Sequence, residues 1–492
     1  MIYNNYAGLD RGNCSTVIIG KDASVTGHVI LGHNEDDTEC IVQSHLVPRQ
    51  QHKEGEMVVF EDGKAIIPQV PETYAYYWSE VKCVGGISFA DVFMNENGVA
   101  LVSNAARPTM DATGSHKDNR EAYGLGYALR TLVAQRAKTA RQGVEVAMEL
   151  VEKYGYCSSR VYHIVDKNEA WSVQVPKGFN CVARRIGDDE VYYMPNHLTI
   201  HQIDFNDPDN FKYTKNVVTH AIEQGWYKPA VEGDYSDFDF AKVYQEDELQ
   251  ERNWFRGRNA WRLLTGVELT KDNIRQFSQK AVRKYSKEDV KAVLRCHFEG
   301  TEDDRTAGGT ANPHKGYDTF CPVCNNATVE SSIFEFNDDI YLTRMYRALP
   351  RPCCNPYTPW YPVALTRVPK GYEYLDVHSA KLAHFDVDKS EIKYDPSKAW
   401  FAFLTVQMIS DMNWKFAAPL IKEERDAIEA GWDKEQAGVE AGYKAALETG
   451  GLEAAREYLT GYTCAQAQKT WDWALETVDK LYYKRLRDDL YD

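Results

Sequence analysis

Short apolar runs separated by turn-forming residues dominate the first hundred residues of the chain. The runs read STVIIG, HVILG, EMVVF and CVGGISFADVF, and their shortness and β-branched content are typical of strands. Farther on, Asn97-Gly98 stands between two apolar stretches in NENGVALVSNAA, which indicates a hairpin turn. The pattern therefore predicts strands from Cys14 to about Phe93, followed by a hairpin.

The pattern becomes helical at about residue 121. Between residues 121 and 154 apolar side chains recur at intervals of three and four, and a glycine ends the run, which predicts one or two helices. Strand patterns return in SRVYHIVDKNEAWSVQV, EVYYMPNHLTIHQID and ATVESSIFEF. The acidic, tyrosine-rich stretch 205–255 predicts loops and short helices, and KAVRKYSKEDVKAVLRCHFEG predicts a helix with Ser286 as its N-cap.

From about residue 395 onward the pattern is mostly helical. The run AWFAFLTVQMI is too short to cross a membrane and predicts a buried helix. Strands, a helix pair, further strands and then helices indicate an α+β fold of packed layers. We expect a leader at 1–13, a layered domain with insertions at 14–394, and a helical region at 395–492 packed on that domain.

Composition narrows the classes of function. The 492 residues are 43% hydrophobic and carry a net charge of −16, so a nucleic-acid partner is disfavoured because phosphate binding needs clustered cations. The eleven cysteines are scattered, which favours reduced thiols. The first residues lack a basic start and an apolar core, so we expect no secretory signal, no membrane partner and a cytoplasmic setting. A truncated start would instead allow secretion.

The segment GNCSTVIIG and the following GHVILGHNEDD carry the candidate chemistry. If the two apolar runs form a hairpin centred near Ser24, antiparallel pairing places Cys14 opposite about position 34. His33, Asn34 and Asp36 then lie near the thiol. A thiol beside an imidazole and a carboxylate suits a nucleophile, and a buried structural cysteine beside a polar turn fits the same pattern.

Thirteen residues precede Cys14, and they are either an ordinary chain terminus or a propeptide. Cleavage of the Asn13–Cys14 bond would give Cys14 a free α-amine with a pKa of about 8. That amine could act as general base for its own thiol, as in nucleophiles that use their N-terminal amine. Asp36 could hold or orient the amine.

The opening CSTVIIGKDASVTGHVILGHNEDD resembles that of the cysteine-type dipeptidases among the N-terminal-nucleophile hydrolases, and of the related secernins. Further matches follow in the same order along the chain: REAYGLGYALRTLVAQRAKTARQGVEVAMELVEKYG, HIVDKNEAWSVQV, MPNHLTIHQID, LRCHFEGTEDD, CNNATVESSIFEF and CCNPYTPWYP. The resemblance covers nearly the whole chain from Cys14. It implies an αββα sandwich, two antiparallel sheets between helical layers, and hydrolysis of dipeptides or short peptides through a thioester, without a metal or another cofactor.

The resemblance also implies roles for individual residues. Cys14 would be the nucleophile and, after autoproteolysis, the base, and Asp36 would bind the new amine. His33 falls where relatives carry arginine, so the charge beside the thiolate becomes pH-dependent. Asn104 and Asn196 fall where wider relatives have oxyanion-hole asparagines.

Arg258 in RGRNAWRLL is expected either to replace the relatives' second active-site arginine, as a substrate-binding residue, or to be a solvated helical arginine.

Two other classes of protein compete with this interpretation. CPVC at 321–324, with His297 and Glu299 upstream, resembles a zinc deaminase signature. Phe320 stands where that signature has proline, and the adjacent Cys353 and Cys354 would point to opposite sides of an extended chain. We therefore expect no metal, and structural roles for His314 and Glu299.

The alternatives that remain are an acylase acting on a non-peptide amide with the same machinery and a non-catalytic, secernin-like interaction protein. The sequence allows a homo-oligomer and leaves side-chain specificity open.

Overall fold

The computed structural model of the chain describes residues 14–37, 40–59, 65–83, 87–106, 124–126, 129–245, 251–306, 312–314, 321–373 and 394–491. The predicted propeptide 1–13 lies outside the described residues.

Nineteen strands are numbered here in chain order: β1 (Ser15–Ile19), β2 (Ile30–Asp36), β3 (Cys40–Val47), β4 (Gln50–Gln51), β5 (Met57–Val59), β6 (Ile66–Pro68), β7 (Glu72–Thr73), β8 (Tyr76–Cys83), β9 (Ile87–Asn95), β10 (Ala100–Ala105), β11 (Arg160–Val165), β12 (Ala170–Val175), β13 (Val182–Ile186), β14 (Glu190–Met194), β15 (Phe211–Tyr213), β16 (Ser278–Lys280), β17 (Thr328–Glu335), β18 (Arg344–Ala348) and β19 (Thr358–Trp360).

The helices are α1 (Leu129–Arg136), α2 (Ala140–Tyr154), α3 (Val217–Glu223), α4 (Phe240–Tyr244), α5 (Glu251–Thr265), α6 (Lys287–Leu294), α7 (Ala399–Met412) and α8 (Trp414–Tyr491).

The strands form two large sheets and two small pairs. The first sheet has the order β16-β14-β1-β2-β17-β18-β19, and the second has the order β15-β13-β12-β11-β10-β9-β8-β3. Neighbouring strands in both sheets run antiparallel, as in the pairs β1–β2 and β10–β11. The hairpin predicted at Asn97-Gly98 joins β9 to β10, and Gly98 has a φ of 79° there.

Three apolar clusters show how the layers stack. Ile18 and Leu31 of the first sheet meet Val102 and Val161 of the second in a shared core. The outer face of the second sheet packs against α1 and α2, and the outer face of the first sheet packs against α5 and α6. The order is therefore helices, sheet, sheet, helices, and the predicted fold class is confirmed.

Local sequence signals account for where several helices begin. Thr139 caps α2 and accepts a hydrogen bond from the backbone N–H of Gln142. Ser286 caps α6 in a capping box completed by Asp289, as the sequence predicted. Each cap satisfies backbone N–H groups that the first helical turn leaves without partners.

The C-terminal helices pack against one end of the two-sheet core. Helix α8 is interrupted at Gly451, whose φ of 72° is not helical. The two halves lie side by side, because Trp432 donates to Gln466 and Trp473 donates to Glu424 across them. In the part of the chain that the structure describes, no helix combines the length and apolarity that crossing a bilayer requires. The cytoplasmic setting stays a prediction.

Close packing fixes strand β2 against helix α6. A Cβ atom added at Gly32 would lie 2.3 Å from Cγ1 of Val290 and 3.1 Å from Cδ1 of Leu294. Glycine at this position therefore lets the helix approach the strand that carries the candidate active-site residues.

Candidate active site

Cys14 precedes β1 and lies at the end of the opening hairpin. The register pairs Ser15 with Asn34 and Thr16 with His33, which places Cys14 beside Glu35, one residue beyond the predicted position. Because side chains alternate along a strand, Cys14 and Glu35 share one face. The Cys14 thiol donates to Oε1 of Glu35, with Sγ and Oε1 3.5 Å apart.

Asn104 of β10 connects the second sheet to this hairpin. Its side-chain N–H groups donate to the backbone carbonyls of Met194 (3.1 Å) and Pro195 (2.8 Å). Carbonyl oxygens only accept hydrogen bonds, so these contacts fix the orientation of the amide. Its Oδ1 consequently accepts the hydroxyl proton of Thr16, over a distance of 2.6 Å.

The hydroxyl of Thr16 then determines the protonation of His33. Since its one proton goes to Asn104, the Thr16 oxygen accepts from Nδ1–H of His33, 2.8 Å away. The opposite ring nitrogen, Nε2, lies 3.3 Å from Oε2 of Glu35. A contact between these two atoms needs one proton, carried by either the imidazole or the carboxyl. His33 and Glu35 therefore form a pair that can hold or release a proton next to the Cys14 thiol.

The surroundings of Cys14 keep its thiol protonated. The residue is 1% exposed, and burial raises the pKa of its thiol well above the usual value, as do the nearby carboxylates of Glu35 and Asp36. The backbone N–H of Asp36 and the positive charge of Arg160 lower that pKa in part. The thiol thus needs a proton acceptor to become a nucleophile, and Glu35 is in contact with it.

Asp36 ends β2, and its carboxylate lies in a polar pocket. It accepts hydrogen bonds of 2.6 Å from the side chains of both Asn325 and Thr328. Burial raises the pKa of Asp36 to about 7, although the charge of Arg256 and these two hydrogen bonds oppose the shift. A neutral Asp36 is therefore present near neutral pH, and a new positive charge nearby would favour its ionisation.

Arg256 of α5 brings a buried guanidinium to the backbone of the candidate nucleophile. Nη1 donates to the carbonyl oxygen of Cys14 at 2.8 Å. Nη2 donates to Oδ1 of Asn196 at 2.7 Å and to Oδ1 of Asn253 at 2.6 Å. The planar fork of arginine makes these contacts together, so Arg256 positions both Cys14 and Asn196.

The two predicted oxyanion-hole residues, Asn104 and Asn196, differ in how many of their side-chain N–H groups already donate to backbone carbonyls. Both N–H groups of Asn104 are used by carbonyls, so an oxyanion would have to displace one of them. Among the residues that the structure describes, the side-chain nitrogen of Asn196 makes one hydrogen bond, 2.8 Å to the carbonyl of Ala105, and its second hydrogen has no acceptor there. The oxyanion-hole roles stay predictions, and the geometry favours Asn196.

The structure places Arg258 away from Cys14 and the other candidate active-site residues. Its guanidinium forms ion pairs with Glu302 and Asp303, on a different side of α5 from Arg256. Two residues along a helix correspond to a rotation of about 200°, so the two arginines cannot point to the same site. The guanidinium beside Cys14 therefore belongs to Arg256. Arg258 is a helical arginine whose side chain is 12% exposed and paired with acidic residues, so it is not the solvated arginine of the alternative.

Sequence reasoning missed Glu35 and Arg256 and misplaced Asn34. The side chain of Asn34 points away from Cys14 and donates to the carbonyls of Leu294 and Val323. Side chains two residues apart on a strand lie on the same face. The choice of His33 as a site residue would therefore have indicated Glu35 as well. The spacing Asn253–Arg256, one helical turn, would have indicated a paired polar face on α5.

A cavity of about 800 Å³ opens beyond the loop that follows Asn196, lined by residues that include Thr199, His201, Tyr235 and Phe277. Cys14 is not among its lining residues.

Residues 13–424 match the model of peptidase family C69. The chain belongs to this family. It is 25% identical over 422 residues to a probable dipeptidase B of Lactococcus lactis, covering 82% of each chain. It is 26% identical over 327 residues to a probable dipeptidase of Latilactobacillus sakei, covering 63% of this chain and 65% of that protein's length.

A solved structure, penicillin V acylase from Agrobacterium tumefaciens, matches this C69 chain with a TM-score of 0.31 and 12% identity, covering 68% of this chain and 82% of the acylase.

Proposed function

We propose that this C69 family member is a cysteine-type dipeptidase whose nucleophile, Cys14, becomes the N-terminal residue by self-cleavage. The contact between the Cys14 thiol and Glu35 is the observation that carries the proposal, because it supplies a proton acceptor for an otherwise protonated nucleophile. Family membership and the dipeptidase names of the relatives support the choice of substrate.

Self-cleavage begins before the α-amine exists, so another base has to act. The thiol proton passes to Glu35, and Sγ attacks the carbonyl carbon of Asn13. The C–N bond breaks, the nitrogen of Cys14 takes a proton, and the leader is left as a thioester on Sγ. Water then attacks the thioester, which releases the leader as a carboxylic acid and restores the thiol.

The mature enzyme repeats this chemistry on a substrate. The free amine of Cys14 now takes the thiol proton, and Sγ attacks the peptide carbonyl. Asp36 lies close enough to Cys14 to affect its thiol pKa, and it would hold the ammonium form of the amine. Asn196, oriented by Arg256, would donate to the oxyanion, a contact worth about 3 kcal/mol of barrier.

His33 would perform the task of the relatives' arginine only while it is protonated. The hydrogen bond to Thr16 keeps Nδ1 protonated, and the Glu35 carboxylate favours a second proton on Nε2. The resulting imidazolium would be a cation within the site, as an arginine is. Its charge would be lost at higher pH.

The test begins with intact-mass measurement of the purified protein and of its Cys14→Ala variant. We expect the wild-type chain to lack thirteen residues and the variant to retain them. A second arm measures hydrolysis of a dipeptide panel and of non-peptide amides by both proteins.

Each outcome decides a separate part of the proposal. A fully active wild-type chain that keeps its leader would refute the α-amine as base. Hydrolysis of non-peptide amides alone would refute the dipeptidase assignment in favour of an acylase. A processed chain without hydrolase activity would favour a non-catalytic interaction protein.

A further inference from the structure

Four buried metal-ligating side chains meet at a second place in the molecule. They are His297 after α6, His314, Cys324 before β17, and Cys353 after β18. Their ligand atoms all lie within 4.8 Å of one another. In the sequence, CPVC and His297 together resembled a zinc deaminase signature. Of the two cysteines of CPVC, only Cys324 belongs to this cluster.

Two distances in the cluster match the edges of a coordination tetrahedron, and the remaining ones are below 4.8 Å. Nε2 of His297 lies 3.1 Å from Nε2 of His314, which lies 3.5 Å from Sγ of Cys353. A tetrahedral zinc ion with ordinary bond lengths separates two nitrogens by about 3.3 Å, and a nitrogen from a sulfur by about 3.6 Å. The side chains are thus already spaced as ligands around a common centre.

Carboxylates orient both imidazoles toward that centre. Nδ1 of His297 lies 2.9 Å from Oε1 of Glu299, and Nδ1 of His314 lies 3.1 Å from Oδ1 of Asp411. Arg351 in turn holds the other oxygen of Asp411 at 2.5 Å. A carboxylate on the outer nitrogen fixes the tautomer that leaves Nε2 free to bind a metal, an arrangement typical of zinc-bound histidines.

We propose that His297, His314, Cys324 and Cys353 bind one structural Zn²⁺ ion. Two sulfur and two nitrogen ligands in a tetrahedral arrangement favour zinc over the harder Mg²⁺ and Ca²⁺. Zinc binding releases to solvent every proton carried by the four ligand atoms, those of the two thiols and any on the two Nε2 atoms. Two thiolates, two neutral imidazoles and one Zn²⁺ then leave the centre without net charge. With four protein ligands the ion has no open position for substrate.

The site would connect the C-terminal helices to the candidate active site. Asp411 lies in α7, and the ring of Trp414 at the start of α8 packs against both histidines, with centroid distances of 5.8 and 4.9 Å. Toward the candidate active site, the ligand Cys324 is followed in the chain by Asn325, which donates to the carboxylate of Asp36. Zinc would therefore hold the loop that positions Asp36.

Metal analysis of the full-length chain, expressed with zinc and dialysed against a chelator, tests the proposal. We expect about one zinc per chain in the wild-type protein, and less than about a tenth in Cys324→Ser and Cys353→Ser. Cys354→Ser is the matched control, because Cys354 lies beside the cluster, with its Sγ 3.5 Å from that of Cys353, and is not one of the four ligands. It should keep its zinc.

Cobalt substitution of the wild-type chain gives a readout that does not depend on a variant folding. We expect the thiolate charge-transfer and visible bands of tetrahedral Co²⁺. A wild-type chain without a transition metal, a disulfide between Cys324 and Cys353, cysteine variants that keep wild-type zinc, or equal zinc loss in Cys354→Ser would each overturn the ligand assignment.

Discussion

Replacement of Glu35 by glutamine separates two roles that its carboxylate could have beside Cys14. Glutamine has the same shape and can still accept the thiol hydrogen bond, and its N–H can donate to Nε2 of a neutral His33. The variant should therefore fold. It cannot take up the thiol proton, however, and it carries no charge.

The two roles predict opposite changes in the rate of self-cleavage. Two unit charges 3.5 Å apart interact by about 5 kcal/mol at an effective dielectric constant of about 20, so loss of the Glu35 charge lowers the pKa of the Cys14 thiol. This effect alone would accelerate cleavage. Loss of a general base slows a reaction by about 10²-fold or more. A thiolate of lower pKa is also a weaker nucleophile, which offsets roughly half of the first effect. If Glu35 is the proton acceptor, we therefore expect the second effect to be the larger one at neutral pH.

The assay follows the fraction of cleaved chain by intact mass after cell-free synthesis, at several pH values. In Glu35→Gln only hydroxide can remove the thiol proton, so the rate should rise about tenfold per pH unit, more steeply than in wild type. Glu35→Asp keeps a carboxylate at a greater distance and should show an intermediate rate. Faster cleavage in Glu35→Gln would refute Glu35 as the base and leave it only an electrostatic role.

Three further predictions concern stability, measured as the free energy of unfolding. Lysine in place of Arg256 should cost about 3 kcal/mol or more, because the planar fork that joins three buried acceptors is lost. The same change at Arg258 should cost less, because its partner Glu302 is exposed and a lysine can still pair with it. Equal losses would contradict the placement of these arginines. The pKa of Asp36 is raised from 3.8 to about 7 in the folded, uncleaved chain, so the native state loses stability as pH rises through this window. In the Cys14→Ala background, which keeps the leader, Asp36→Asn removes that loss and should gain about 3 kcal/mol relative to the Asp36 chain between pH 5 and pH 8 in urea unfolding. A difference independent of pH would show that Asp36 does not titrate there. Alanine at Gly32 should destabilise the fold by about 1–3 kcal/mol, because a Cβ collides with helix α6. The control Gly431→Ala, in open space on α8, should be neutral or slightly stabilising. Equal effects of the two changes would indicate that β2 is not packed against α6.

Local patterns predicted the elements of the fold well where the signal lies within a few residues. The two apolar runs after Cys14 and the turn formers between them predicted the hairpin β1–β2. Asn97-Gly98 predicted the hairpin β9–β10, and Ser286 predicted the start of α6. Each of these signals acts through backbone groups or faces of a single element. A short stretch of sequence therefore contains all the information that the prediction needs.

The register of the opening hairpin shows where local reasoning ends. Ile19 pairs with Ile30, so the loop between β1 and β2 is centred between Ser24 and Val25 and not on Ser24. In this loop Val25 donates to the carbonyl of Tyr285, a contact with a distant segment. The resulting shift of one residue exchanges Asn34 for Glu35 beside Cys14. In a strand a shift of one residue moves side chains to the opposite face, so a small error in register changed the residues assigned to the site.

The sequence by itself determined the strands, the helices and the layered fold class, and it indicated the family of the chain and Cys14 as its nucleophile. Tertiary structure alone decided which groups surround that thiol and which side chains form the second cluster. Arg256 reaches Cys14 across 242 residues, and Asn325 reaches Asp36 across 289. Such contacts depend on how whole sheets and helices pack, because periodicity fixes the face on which a side chain lies and does not fix its partner.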